Sequence, residues 1–380
     1  MNRLGLYRAL IRLLPKPTVD FRAVKQRLPD ESLQRFRAVL RRHRARDGAL
    51  AFFDQDGISD FVVYGEARRG VKVWADTPFR LASVSKLVTA AGILAMAQKG
   101  LLDLDADADT GLPYSLRHPQ AKERPVTLRM LLTHTAGIRD GAAYTRGLTD
   151  GSDAASLLTA DSHTAHLPGE GCEYSNFGVG LAGCAVEAQT GLSFERAMQT
   201  HLFEPLGLNA SYYPQRVRGL LADARRVLPP RRRPNFDARA RQAAPDAGWD
   251  APDPLRHHLL AHGGCCMDVL SLAKLGQALL LPVFLDEQTL QNMRTPQADL
   301  SARDPHLKLG PGLFILEDPD ICDFKLYGHQ GMAYGAVHML FMDVKTGRGL
   351  ISLTTGASEA REYIIADVNR ALLREWVRHG

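Results

Sequence analysis

Strand-forming segments lie at both ends of this chain, and helix-forming segments fill the middle. Residues 49–53 and 61–64 are apolar and rich in aromatic and β-branched side chains. The turn Asp54-Gln55-Asp56-Gly57 joins them, so they read as a hairpin. Near the other end, residues 324–327, 336–343 and 349–354 are strand-like and are separated by turns containing Gly331, Gly335 and Gly347. Between these groups the apolar residues recur at helical spacing, in residues 84–99, 127–134, 176–189 and 194–206. Further helices are predicted over 30–46 and 361–376. This order suits an α+β fold: an antiparallel sheet in which the two ends of the chain meet, flanked by helices, with a mostly helical block inserted. The predicted organisation is a basic N-terminal arm (1–28), a discontinuous α/β domain (29–100 and 255–380), a helical domain (101–215) and an irregular Arg/Pro-rich excursion (216–254).

A chain of 380 residues with 45% hydrophobic and 23% charged content can bury a large core. Its net charge of +5 is unevenly placed: residues 1–50 hold thirteen Lys or Arg against four Asp or Glu. Such an arm can lie on anionic lipid, and a weak membrane-surface contact is the one macromolecular partner the sequence offers. No zinc-finger spacing or aromatic-basic interleaving accompanies the charge, so nucleic acid is not expected. The apolar run at residues 4–15 is broken by Arg8 and Arg12 and is followed by no small-residue cleavage site, so the expected location is cytoplasmic. Five cysteines (Cys172, Cys184, Cys265, Cys266, Cys322) do not make a disulfide framework, and Cys265-Cys266 lacks metal-ligand spacing. No metal and no cofactor is predicted.

Three short elements carry chemistry. Ser83-Val84-Ser85-Lys86 opens an apolar helix, which puts the serine hydroxyl and the lysine amine on one face, one turn apart. A serine at a helix start has free N–H groups beside it and becomes a nucleophile once a neighbour takes its proton. The same spacing recurs at Ser271-Leu272-Ala273-Lys274, inside an amphipathic stretch where a structural serine is the expected reading. Tyr174-Ser175-Asn176 precedes another apolar helix. A nearby ammonium would favour the phenolate of Tyr174, and Asn176 can hold both a lysine and a substrate amide. Third, in His329-Gln330-Gly331-Met332 small residues leave a strand backbone open to a ligand. The Met332 N–H can then join the Ser83 N–H as paired donors to an oxyanion.

In this order the three elements resemble the serine beta-lactamase and penicillin-binding-protein superfamily, and most of all its class C beta-lactamase-like branch of esterases and D-stereospecific peptidases. Leu131-Leu132-Thr133-His134-Thr135-Ala136-Gly137 and Leu202-Phe203-Glu204-Pro205-Leu206-Gly207 are similar to recurrent segments of that branch. The resemblance implies a beta-lactamase/transpeptidase-like fold and acyl transfer through an ester on Ser83. Lys86 and Tyr174 would be the catalytic partners, and Asn176, His329, Gly331 and Met332 would bind substrate. It also makes His134 a structural buttress and sets aside both Ser271 and the literal Lys345-Thr346-Gly347. A histidine in place of lysine at 329, and Gln330 where the branch has threonine or serine, weaken the provision for a substrate carboxylate. Small esters are therefore the first expectation. A D-amino-acid amidase or peptidase, or a beta-lactamase, comes second, and a non-catalytic penicillin-recognising module third. On this reading His329→Lys should raise affinity for carboxylate-bearing substrates.

Overall fold

The computed structural model describes residues 3–228, 231–233 and 250–379. Its centre is an antiparallel sheet of nine strands. In chain order these are β1 (Arg22–Lys25), β2 (Asp47–Asp54), β3 (Gly57–Tyr64), β4 (Ala298–Asp299), β5 (Leu307–Gly310), β6 (Leu313–Leu316), β7 (Leu326–Ala333), β8 (Ala336–Asp343) and β9 (Arg348–Thr355). Their spatial order is β1-β3-β2-β9-β8-β7-β6-β5-β4. The two ends of the chain meet where β2 pairs with β9, Phe53 opposite Gly349 and Ala49 opposite Leu353.

Alternation along each strand builds two layers. Ala49, Ala51, Phe53, Leu340, Met342, Ile351 and Leu353 face one core, shared with α3 (Val84–Gln98) and α6 (Val269–Leu280). Leu50, Phe52, Met339, Phe341 and Leu350 face the other, covered by α2 (Asp30–Arg42) and α7 (Asp367–His379). A sheet covered on both faces needs apolar residues at successive positions, and β8 is buried along its whole length. The chain between β3 and β4 carries most of the helices among the described residues, including α4 (Leu128–Leu132) and α5 (Asn176–Thr190).

Several expectations are corrected. The strand predicted at 324–327 runs from Leu326 to Ala333, with Gly331 letting it pass close under the start of α3, and so it carries the whole third element. The closing helix starts at Asp367 rather than at 361. Backbone groups that would have joined the helix go elsewhere: the Gln330 amide donates to the Ile364 carbonyl and its carbonyl accepts from Ala366 N (2.9 Å), while Ile364 N donates to Asp304 (3.1 Å). The segment 361–364 is thereby drawn out as a wall of the cleft. The basic arm is not free. Its helix α1 (Arg3–Leu13) packs on the body, and β1 pairs with β3. Within the 216–254 excursion a short hairpin forms between Ala224–Arg226 and Arg231–Arg233, tied to the sheet by the Arg225–Asp47 ion pair (3.2 Å) and by Gly356 N donating to the Arg225 carbonyl (2.9 Å). Its residues Pro229, Pro230 and 234–249 lie outside the described residues. Among the described residues no helix is long and apolar enough to cross a membrane.

Candidate active site

Ser83 caps the N-terminus of α3, and Lys86 lies in its first turn, fully buried. Lys86 Nζ donates to Ser83 Oγ (3.2 Å), Asn176 Oδ1 (2.7 Å) and the His262 carbonyl (2.8 Å). Asn176 opens α5, and Tyr174 lies two residues earlier, its ring 5.0 Å from the Lys86 amine and beside Ser83 in the cleft. The first two elements thus meet around one hydroxyl. β7 supplies the third. A Cβ built on Gly331 would lie 2.1 Å from the Leu81 carbonyl and 3.0 Å from Ser83 N, so only glycine lets this strand pass the start of α3. Met332 follows and lines the cleft.

Burial sets the protonation states. It lowers the Lys86 amine to about 7, a shift that the Asp140 carboxylate partly opposes. It also raises the Tyr174 phenol above its ordinary value, with the nearby Ser83 hydroxyl acting the other way. The phenolate expected from the nearby ammonium is therefore disfavoured: both partners lose solvent, and above about pH 7 the pair is neutral amine with neutral phenol. Strain collects here too. Of the four non-glycine residues with positive φ among the described residues, Ala82 (49°) precedes the serine, His134 (60°) touches Tyr174, and Tyr334 (55°) lines the cleft.

Asp140, which the sequence reading did not single out, organises the start of α5. Its carboxylate accepts from Asn176 Nδ2 (2.7 Å), Phe177 N (2.9 Å) and Ser175 Oγ (3.0 Å). His134 stands behind Tyr174, ring centroids 4.4 Å apart, and its Nδ1 accepts from Ser175 N (3.1 Å). Burial holds its pKa well down.

His329 is placed differently from expectation. Its ring is buried, stacks on Phe314 at 3.9 Å and packs against Tyr174 at 6.3 Å, while its Nδ1 lies 2.6 Å from the Gln330 carbonyl. Burial and the Lys86 charge push its pKa down to about 3. A neutral imidazole behind the tyrosine neither lines the cleft nor lends it charge. The Gln330 side chain points to the other face of the sheet, toward α7, where Asn369 Nδ2 donates to it at 3.0 Å.

The cleft has two lobes that meet at Ser83. One, of about 450 Å³, includes Tyr174, Phe314, Arg303 and Arg361. The other, of about 650 Å³, includes Tyr144, Leu148, Leu259 and Tyr334. Among the described residues, neither Arg303 nor Arg361 has an ion-pair partner. No group of three or more His, Cys, Asp or Glu suited to a metal occurs among the described residues.

The Beta-lactamase family model matches residues 34–375. The chain belongs to the beta-lactamase family. Esterase EstB of Burkholderia gladioli is 29% identical over 345 residues, 83% of this chain and 85% of the relative. Penicillin-binding protein 4 of Amycolatopsis lactamdurans is 33% identical over 181 residues, 47% of each chain, so this chain spans about half of that relative. Among solved structures, an octameric penicillin-binding protein homologue from Pyrococcus abyssi superimposes with a TM-score of 0.73 at 20% identity, over 92% of this chain and 78% of that one. A D-amino acid amidase from Ochrobactrum anthropi SV3 gives 0.69 at 23% identity, over 92% and 100%. The fold is the beta-lactamase/transpeptidase-like one, and the protein is a beta-lactamase-related serine hydrolase.

Within this family member the two look-alike motifs have ordinary structural duties. Ser271 Oγ accepts from Asn209 N (2.9 Å), and Lys274 donates to the Gly207 carbonyl (3.3 Å). Lys345-Thr346-Gly347 forms the turn between β8 and β9, with Lys345 N and Thr346 Oγ1 both bonded to Asp343.

Proposed function

We propose that this chain hydrolyses small esters through an acyl-enzyme on Ser83. Neutral Lys86 accepts the Ser83 proton as Oγ bonds to the substrate carbonyl carbon. The oxyanion sits between the N–H groups of Ser83 and Met332, each donor contributing on the order of 3 kcal/mol in sites of this kind. Collapse breaks the bond from carbon to the leaving oxygen, which takes its proton from Tyr174. Lys86 returns a proton to the phenol. Water then attacks the ester, Tyr174 and Lys86 relay its proton back to Ser83, and the carboxylic acid departs. The observation that carries this reading is the 3.2 Å contact between Ser83 Oγ and an amine that burial lowers to about 7, a nucleophile beside a base available at neutral pH. The larger lobe offers Leu148, Leu259 and Tyr144 to an acyl chain, beside the charged Arg80, Arg226 and Glu359.

A second reading has its own observation. Arg303 and Arg361 line the smaller lobe, and they supply the fixed positive charge that His329 does not. They favour a substrate with a carboxylate, such as a D-amino-acid peptide or a beta-lactam. The deciding experiment compares turnover of a short-chain aryl ester, a D-Ala-D-Ala peptide and a chromogenic cephalosporin, with intact-protein mass to trap the acyl adduct. Fastest turnover of the ester, with an adduct lost in Ser83→Ala, supports the first reading. Preference for either acid supports the second. Absence of both turnover and an adduct with all three would favour the non-catalytic binding module.

A further inference from the structure

We propose that α1 docks this protein on an anionic lipid surface. Leu6, Leu10 and Leu13 are 49%, 44% and 81% exposed, and their spacing of four and three residues puts them on one side of the helix. The opposite side is fastened to the body. Ile11 is buried, Tyr7 Oη accepts from Glu359 N (3.3 Å), and Arg8 makes two 2.8 Å hydrogen bonds to Asp367. Arg44 closes the C-terminal end by donating to the Arg12 carbonyl (3.0 Å). The leucines are thus held outward on a preformed helix, and docking need not order it.

Charge selects the occupant. Among the described residues Arg3, Arg12, Lys16 and, from α2, Arg42 have no ion-pair partner; Arg12 and Arg42 border a cavity beside α1 in which the arginines outnumber the carboxylates Asp320, Glu362 and Asp367. An exposed leucine stripe on a helix that carries unpaired cations matches an interface of acyl chains under phosphate groups. A second copy of this chain would bring the same cations against each other. The docking does not depend on the ester reading, because none of these residues touches Ser83.

Flotation of the full chain with vesicles tests this, using phosphatidylcholine alone or with about 30 mol% phosphatidylglycerol. Roughly tenfold or greater partitioning onto the anionic vesicles is expected, falling in about 0.5 M salt. Leu6→Gln/Leu10→Gln/Leu13→Gln should abolish it, and Arg12→Gln/Arg42→Gln should remove the preference for anionic lipid. Ser83→Ala should float like the parent. Equal recovery with both vesicle types, or an unchanged triple variant, overturns the proposal. If the triple variant fails to fold, Leu10→Trp replaces it: a blue shift of its added fluorescence on anionic vesicles supports docking, and no shift overturns it. A lipid-free dimer that the triple variant dissolves also overturns it, in favour of self-association.

Discussion

Asp140 accepts a hydrogen bond from Asn176 Nδ2 at 2.7 Å, and this contact decides which end of the Asn176 amide faces Lys86. Asp140→Asn removes the carboxylate that fixes the amide and favours the Lys86 ammonium. Loss of a hydrogen bond to a charged group costs about 1.5–3 kcal/mol, so kcat/KM should drop roughly tenfold to a hundredfold. Because Asp140 raises the Lys86 pKa, the acid limb of the pH–rate profile should move to lower pH. A merely structural role would lower activity without moving that limb.

Activity should rise with pH through about 7, as Lys86 loses its proton. Stability should follow the same group. Its pKa is depressed on folding, so between the folded value near 7 and the unfolded value of 10.5 the unfolded chain binds more protons, and stability climbs with pH across that window. The limiting slope is about 1.4 kcal/mol per pH unit. Thermal unfolding of the parent and of Lys86→Met, measured from pH 6 to 10, should diverge with this sign. Parallel curves would mean that the amine ionises normally in the folded protein.

Ser83→Ala should abolish labelling by a fluorophosphonate. Ser271→Ala should label as the parent does while losing about 1 kcal/mol of stability, since it strips Asn209 N of its buried acceptor. Labelling of Ser271 in the Ser83→Ala variant would reverse the assignment of the nucleophile.

His329→Lys is now expected to damage the protein rather than improve its grip on acids. The new ammonium would be buried against Phe314 and near Lys86, with no carboxylate beside it. A loss of about 3 kcal/mol or more in denaturant unfolding should result. Unchanged stability with tighter binding of carboxylate substrates would return His329 to the cleft surface.

Arg303→Gln and Arg361→Gln should each raise KM for a carboxylate-bearing substrate about tenfold, leaving kcat/KM for a neutral aryl ester within about twofold. Equal effects on both substrates would mean that the arginines shape the cleft without reading charge.

The helix starts at 84, 128 and 176 were legible because caps and apolar periodicity are local signals, and the meeting of the two chain ends followed from the order of the elements. Ser83, Lys86, Tyr174 and Asn176 could be named because each stands in a short pattern. Asp140 has no such pattern. It lies just past the segment 131–137, and its importance comes from a contact with α5 that exists only after folding. The placement of His329 was missed for a related reason. A triplet does not reveal which side chain of a strand points to which face, and the extra reach of β7 to Ala333 supplies that answer. Arg303 and Arg361, one in a turn and one in the stretch read as helix, converge only because Gln330 holds 364–366 away from α7.

Gly331 has one more consequence. The gap between the serine's helix and the third strand is gauged by an atom that is not there, and adding one carbon would press it into the Leu81 carbonyl. Variation in what this enzyme accepts must therefore come from the rim, at positions such as 148, 303 and 361, while the seam between strand and helix stays closed to substitution.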